Sequence, residues 1–373
     1  MEPLPTRHSR GPGRAGLSPT RLAILCAAAV ATVLVTAAAA QSTSTRRLEI
    51  PSRAQISRAS GPIVDSQVAA ATVGAVAPAG YWGGQYRTMA GESVTVYASN
   101  SYPVDPGLGQ RWADFLASLV HGPEISTVTV LLATPSQIED VCGAEAVACY
   151  SPHGALLYTP GEDPGSDLSA EAVITHEYGH HVAANRSNAP WPAVDWGPKR
   201  WASAMQVCAQ TRQGNLFPGA EDPRHYLLNP GEGWAETYRV LNEQKAGLPE
   251  APWQIVTPAL YPTAAALTAA EQDVISPWQA DTTTKQTAVL SRTKRTRTFT
   301  IATQLDGSLK MTLKHSPGMR LSLDVFASST RAAHVVSAKA VSRTFAVCGT
   351  RSYRFRVTDL AGRGSVSLAV AKP

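Results

Sequence analysis

The feature that most constrains the fold is a change in hydrophobic pattern near residue 284 of the 373-residue chain. Upstream, apolar residues recur at the spacing of helix faces, whereas downstream short segments alternate apolar and polar residues between turns such as Asp306-Gly307 and Ala361-Gly362. Strands are predicted there at 298–303, 309–313, 321–326, 344–348, 353–357 and 366–370. This pattern predicts a small all-β sandwich domain over residues 285–373.

Residues 81–284 are expected to form an α+β domain. Strands are predicted at 93–98, 128–132 and 156–158, and helices at 108–120, from 169 to about 185, at 199–211 and from residue 230. The last of these helices begins at Asn229-Pro230, an N-cap residue followed by proline at the first helical position. The fold class predicted for the whole chain is therefore α+β with a C-terminal β domain.

The N-terminus predicts export from the cytoplasm. Four arginines precede an apolar run at residues 22–40 that ends in four alanines, which is typical of a cleaved signal peptide over residues 1–40. An uncleaved membrane anchor through residues 22–40 is the alternative, because a run of 19 residues can just span a bilayer. Residues 41–80 are rich in small and turn-forming residues and are predicted to be a linker or pro-segment. We therefore expect a secreted or cell-surface protein.

Charge is divided unevenly between the two predicted domains. Removing the four basic residues and one acidic residue of segment 1–40 from totals of 33 and 28 leaves 29 and 27, a net charge of +2. Residues 41–284 hold 13 basic and 24 acidic residues, whereas residues 285–373 hold 16 and 3. The basic domain can attract an anionic cell-envelope polymer, a membrane or the acidic domain, or it can be a solvated β surface. No nucleic-acid-binding motif is present in the sequence, so we expect no nucleic-acid partner.

Four cysteines lie outside the predicted export segment, and an even number in an exported protein predicts disulfides. Cys142 and Cys149 enclose a short loop, which makes them the natural local pair. Cys208 and Cys348 would then link the two domains.

The residues His176-Glu177-Tyr178-Gly179-His180 form an H-E-x-x-H motif within a predicted helix. Two histidines at positions i and i+4 lie one above the other on a helix face, so both imidazoles can bind one zinc ion. Glu177 then lies beside the metal, where it can act as the general base on the attacking water. The adjacent His181 cannot face the same ion as His180 and is expected in an outer position or on the surface.

A catalytic zinc ion needs a third protein ligand. The metzincin extension is absent, because Ala183 and Arg186 occupy the positions of its glycine and histidine. Glu232 and Glu236 lie at i and i+4 on the helix that follows Asn229. One carboxylate can bind zinc while the other accepts the outer N–H of a ligand histidine. If Glu232 instead closes a capping box with Asn229, then Glu236 is the ligand.

The two motifs resemble those of the gluzincins, the clan of zinc peptidases that includes thermolysin-like enzymes. In that clan an H-E-x-x-H helix is followed by a helix with a ligand glutamate and an acidic residue four positions later. The resemblance implies a zincin-like metallopeptidase domain, Glu232 as a ligand with His176 and His180, and Glu236 as the partner of a ligand histidine. It also implies an edge strand, expected near Leu156–Tyr158, that aligns the substrate. The Asn-Glu-x-x-Ser-Asp of thermolysin-type enzymes is absent, so the resemblance extends to the clan and to no narrower family.

A gluzincin also needs a donor for the oxyanion that forms during hydrolysis. His225 and Tyr226 precede the glutamate helix, and Tyr226 is the favoured candidate. The leading functional hypothesis is extracellular, zinc-dependent hydrolysis of peptide bonds in a peptide or protein substrate. One alternative is hydrolysis of an amide or ester in the cell envelope, because the same activated water serves any carbonyl. Another is a binding protein on a catalytically inactive zincin scaffold.

Overall fold

The computed structural model describes residues 77–164, 168–253, 255–349 and 351–373. The predicted export segment and most of the predicted linker lie outside these residues. Within the described part of the chain, no helix is both long enough and apolar enough to cross a membrane. The anchor considered at residues 22–40 lies outside it.

A mixed sheet forms one layer of the N-terminal part. Its strands are β1 (Tyr81–Arg87), β2 (Ser93–Ser99), β3 (Thr129–Ala133), β4 (Cys149–Ser151) and β5 (Leu156–Pro160). Their order across the sheet is β1-β2-β3-β5-β4. Strands β2, β3 and β5 run parallel, while β1 and β4 pair antiparallel at the two edges. The inner strands are buried almost throughout, as expected of parallel strands covered on both faces.

Helices cover this sheet and supply the rest of its core. They are α1 (Leu108–Ser118), α2 (Pro135–Cys142), α3 (Ala170–Ala184), α4 (Ala193–Trp196), α5 (Lys199–Ala204), α6 (Val207–Arg212), α7 (Pro230–Ala246) and α8 (Ala264–Ile275). Helix α3 is buried on nearly every side, because it packs between the sheet and α7. It begins at Ser169, whose hydroxyl accepts a hydrogen bond from the Ala172 amide.

Helices α3 and α7 approach each other closely at Gly179. A Cβ atom at this position would lie 2.9 Å from Cα of Ala235, so only glycine allows the contact. The indole of Trp234 donates a hydrogen bond of 2.7 Å to the carbonyl oxygen of Gly179. Helix α7 starts at Asn229, whose side chain accepts a hydrogen bond from the Gly231 amide. This packing fixes the register between the two predicted motifs.

The C-terminal part is an all-β region, as the alternating pattern predicts. Its strands are β6 (Thr282–Leu290), β7 (Thr296–Thr303), β8 (Gly307–His315), β9 (Arg320–Ala327), β10 (Thr330–Ser337), β11 (Val341–Val347), β12 (Arg351–Ala361) and β13 (Gly364–Lys372). They form two antiparallel sheets, β10-β9-β12-β7 and β11-β8-β13-β6, around a separate hydrophobic core. The sequence prediction missed β6 and β10, because both are edge strands with few fully buried residues.

Contacts from α5 and α6 join the β region to the N-terminal part. The ammonium group of Lys199 donates to the carbonyl oxygens of Asp306 at 2.8 Å and Ala189 at 2.6 Å. The Ser203 hydroxyl accepts a hydrogen bond of 2.8 Å from the Asp306 amide. The predicted disulfides Cys142–Cys149 and Cys208–Cys348 are both present, and the second joins α6 to the β region. Because disulfides persist in oxidising compartments, the protein is extracytoplasmic.

Two predictions about secondary structure are wrong. The helix expected at 199–211 is two short helices, because Gln206 between them adopts a left-handed backbone conformation with φ of 56°. The strand Leu156–Tyr158 was expected at the edge of the sheet, yet β5 pairs with strands on both sides. The edge strand on that side of the sheet is β4, which the alternation of apolar residues does not reveal because it is three residues long.

Candidate metal centre

The two histidines of the H-E-x-x-H motif face the same point from α3. Their Nε2 atoms lie 3.2 Å apart, and both side chains are almost completely buried. The spacing of four residues explains this arrangement, because it places both rings on one face of the helix. Two nitrogen lone pairs are thereby directed into one small volume.

Glu232 brings a carboxylate oxygen to the same point from α7. Its Oε2 atom lies 3.2 Å from Nε2 of His176 and 3.4 Å from Nε2 of His180. Within the described residues, these three side chains are the group of possible metal ligands whose donor atoms converge. The capping-box alternative for Glu232 does not describe this geometry, because the carboxylate points to the histidines.

The spacing of the donor atoms fits a tetrahedral zinc ion. Zinc binds histidine nitrogen and carboxylate oxygen at about 2.0–2.1 Å, which places tetrahedral ligand atoms about 3.3 Å from one another. The three observed separations are 3.2, 3.2 and 3.4 Å. Two imidazoles and one carboxylate leave a fourth position for water, as catalytic zinc requires. The donor set therefore fits this metal in both chemistry and size.

Glu236 contacts the other ring nitrogen of His176. Its Oε1 atom lies 2.9 Å from Nδ1 of His176, so the ring can donate Nδ1–H outward and turn Nε2 toward Glu232. The Arg239 guanidinium donates two hydrogen bonds to Glu236, from Nη2 to Oε2 at 2.6 Å and from Nε to Oε1 at 3.0 Å. Its remaining nitrogen binds both oxygens of Glu243 at 2.7 and 2.8 Å. A chain of charged groups thus extends from Glu243 to His176.

The electrostatics of this cluster favour a bound cation. Burial alone lowers the pKa of His176, but the contacts with Glu232 and Glu236 outweigh it and raise that pKa to about 10. Burial likewise opposes ionisation of Glu236, yet His176 and Arg239 lower its pKa overall. Because a histidine binds metal in its neutral form, a metal ion at this point would have to displace that proton.

Glu177 follows the first histidine and is buried to the same degree. It lines a small cavity together with His176 and Ala148, which precedes the edge strand β4. The structure therefore places the Glu177 side chain beside the segment that leads into β4. The sequence does not predict that Glu177 lies near β4, because a strand of three residues is too short to show an alternating pattern.

Tyr226 lies on the opposite side of the cluster. It is 5% exposed and shares a cavity of about 50 Å³ with His180 and Glu232. Tyr150 from β4 and Asp195 from α4 complete much of the same wall. The other upstream candidate, His225, instead forms a 3.0 Å contact with Asp222 and packs against Phe217 at the surface.

His181 is neither a metal ligand nor a surface residue. It is fully buried, with Nδ1 at 3.1 Å from the Tyr150 hydroxyl and Nε2 at 2.9 Å from the Glu124 carbonyl oxygen. Burial lowers its pKa, which favours the neutral ring. The side chain thus connects α3 to β4 and to the turn before β3. Of the two positions expected for His181, the surface is excluded, because this part of α3 packs against β4 and the turn before β3.

Sequence reasoning missed Arg239 and Glu243. Their spacing from Glu236 was nevertheless informative, because positions i, i+3 and i+7 share one helix face and carry alternating charges. Such a run is usually an exposed charged face. Here it is buried, and Ala251 hydrogen-bonds both Arg239 and Glu243 through its main chain.

Comparison with known proteins adds little to this description. No family model matches the chain, and no curated protein matches it. The solved structures that match include the pre-peptidase C-terminal domain of collagenase from Bacillus anthracis, with 17% identity and a TM-score of 0.21 over 24% of this chain and 89% of that one. The Yersinia pseudotuberculosis-derived mitogen matches with 10% identity and a TM-score of 0.21 over 25% and 87%. PliG, a periplasmic inhibitor of g-type lysozyme from Aeromonas hydrophila, matches with 15% identity and a TM-score of 0.19 over 25% and 85%. Scores this low support no argument about fold or function.

Proposed function

We propose that this protein is a secreted or cell-surface zinc metallopeptidase that hydrolyses peptide bonds. The observation that carries the proposal is the convergence of His176, His180 and Glu232 at separations of 3.2–3.4 Å. The gluzincin-like order of the two motifs supports the same assignment. In this proposal the N-terminal α+β domain is zincin-like, Glu236 and Arg239 hold His176 in place, and the β region is an accessory domain.

A bound zinc ion would lower the pKa of its water to about 7 and polarise the substrate carbonyl. Glu177 would take the proton of the attacking water as that oxygen bonds to the carbonyl carbon. It would then pass the proton to the leaving amine as the carbon–nitrogen bond breaks. Tyr226 would donate its hydroxyl proton in a hydrogen bond to the developing oxyanion, from the cavity wall beside His180.

The substrate would align along β4. This strand is the last in the order of the sheet, with β5 as its neighbour. An extended peptide can add to the edge strand of a sheet through main-chain hydrogen bonds. Tyr150 and Pro152 place this edge in the same cavity wall as His180 and Glu232. The disulfide between Cys142 and Cys149 ties β4 to α2 and would keep the edge in position.

Replacement of Glu177 by glutamine tests the proposal. The variant keeps the shape of the side chain but removes the base, so we expect kcat for a casein-derived peptide library to fall by about 100-fold or more. Zinc content should not change. The matched control is Glu171→Gln, which makes the same change at an exposed position of the same helix and should leave kcat unaltered.

Two results would contradict the proposal. If wild-type protein holds zinc but cleaves no peptide, the substrate class is wrong and amide or ester bonds of the cell envelope become the next substrates to test. If Glu177→Gln cleaves peptides as fast as wild type, Glu177 is not the base.

A further inference from the structure

The charged surface of the β region is almost entirely positive. Residues 285–373 contain 16 basic residues and three acidic ones, and all three carboxylates are buried. Asp306 accepts a hydrogen bond from the Gly349 amide at the junction with α5. Asp324 is bonded to Arg356 and His334, and Asp359 is 4% exposed. No exposed carboxylate in the described part of this region offsets its lysines and arginines.

The basic residues are concentrated in the turn between β6 and β7. Four of the six residues from Arg292 to Arg297 are arginine or lysine, and all four are exposed. The turn closes a cavity of about 780 Å³ whose lining contains these four residues and no acidic one. Strands β6 and β7 are edge strands of the two different sheets, so this cavity lies at the open side of the sandwich.

The turn is held in place through only one of its cations. The Arg295 guanidinium donates to the carbonyl oxygens of Asp359 at 2.8 Å and Leu360 at 3.3 Å. Arg292, Lys294 and Arg297 make no ion pair within the described residues. Three cations therefore face solvent from a turn whose backbone is anchored, which is the arrangement expected of a binding site for repeated negative charges.

The remaining lining suits a sugar ring better than a nucleobase. Thr287, Thr293 and Thr296 offer hydroxyls, and Val289, which is 71% exposed, offers an apolar surface. The lining contains no aromatic side chain on which a base could stack, and such stacking is a large part of single-strand nucleic-acid binding. The protein is also extracytoplasmic, where acidic polysaccharides are a common polyanion.

We propose that the β6–β7 cavity binds a linear acidic polysaccharide. Carboxylate or sulfate groups would pair with Arg292, Lys294 and Arg297, while the threonine hydroxyls contact ring oxygens. The site is independent of the zinc centre, and it would keep the catalytic domain on a polyanionic surface. The competing explanation is that charged residues protect the free edges of β6 and β7 from pairing with another chain.

Binding of a fluorescent heparin hexasaccharide, measured by anisotropy on the full-length protein, tests this site. The variant Arg292→Gln/Lys294→Gln/Arg297→Gln should lose about tenfold in affinity, since each exposed charge contributes about twofold to threefold. The matched control, Lys310→Gln/Lys339→Gln/Arg343→Gln, removes three exposed charges from β8, β11 and the turn before β11, at the side of the sandwich away from β6 and β7, and should lose less than about twofold. Wild-type affinity should fall when salt rises from about 0.05 to about 0.3 M.

Each alternative outcome overturns the proposal. Equal losses in the two triple variants would show that overall charge, not this cavity, drives binding. Absence of hexasaccharide binding to wild type, or tighter binding of a single-stranded DNA of equal charge, would exclude a polysaccharide site. Unchanged binding with new self-association of the first variant on gel filtration would show that the cations protect strand edges. Zinc content of all variants should equal wild type, so a failure here is separable from a failure at the zinc centre.

Discussion

Replacing Arg239 by methionine is expected to weaken zinc binding although Arg239 is not a ligand. The guanidinium makes four charged contacts of 2.6–3.0 Å, two to Glu236 and two to Glu243. Methionine keeps much of the volume and removes the charge. Glu236 then loses the group that fixes its carboxylate against His176. Changes in residues that orient metal ligands cost about 10–100-fold in metal affinity, or about 1.4–2.8 kcal/mol.

The same substitution will also destabilise the fold, because removing one partner of a buried ion pair costs about 3–5 kcal/mol. A control must therefore lose stability without touching the site. Arg186 is such a residue: its side chain is 4% exposed and binds Glu124 at 2.9 Å, away from His176 and Glu232. Arg186→Met should lose comparable stability in urea but keep its zinc affinity.

Zinc affinity is measured by competition with a chromophoric chelator at a temperature where all variants are folded. Compared with Arg239→Met, Arg239→Lys should recover part of the stability and little of the zinc affinity, because an ammonium cannot form the bidentate contact with Glu236. The reasoning is refuted if Arg239→Met binds zinc within about twofold of Arg186→Met. Arg239 would then be a structural ion pair with no influence on the metal site.

Two further predictions concern the framework. Gly179→Ala should destabilise the protein by about 1–3 kcal/mol in urea unfolding, because the new Cβ meets the α7 backbone 2.9 Å away. Gly233→Ala meets the Leu260 side chain at 2.7 Å and should cost less, because the end of a side chain can shift more readily than a helix backbone; equal effects of the two would contradict the account of helix packing. Replacing both cysteines of Cys208–Cys348 by serine should cost about 5 kcal/mol against about 2.4 kcal/mol for Cys142–Cys149, because their sequence separations of 140 and 7 residues close very different loops. The order of the two losses in calorimetry, rather than their size, decides that prediction.

Local patterns explain why much of the candidate site could be predicted. The spacing of His176 and His180 on one helix, and of Glu232 and Glu236 on another, follows from helix geometry alone. The cap at Asn229 and the alternating strands after residue 295 are equally local. Both disulfides could be proposed from the number and spacing of cysteines.

Features that depend on how distant segments pack could not be predicted in this way. The edge position of β4 depends on sheet order, and β4 is too short to show a pattern. Burial of Arg239 depends on the segment that covers α7. The choice between Glu232 and Glu236 required the register of α7 against α3, which Gly179 and Trp234 determine together.

The most direct test of the central claim is the zinc content of the purified protein, combined with X-ray absorption at the zinc edge. We predict one zinc ion per chain, bound by two imidazole nitrogens and a carboxylate oxygen at about 2.0–2.2 Å. Zinc should be lost in His180→Ala and in Glu232→Ala. It should be retained in His225→Ala, which removes a histidine bonded to Asp222 at the surface. A wild-type protein without zinc, or a Glu232→Ala variant that binds it as tightly as wild type, would contradict the account.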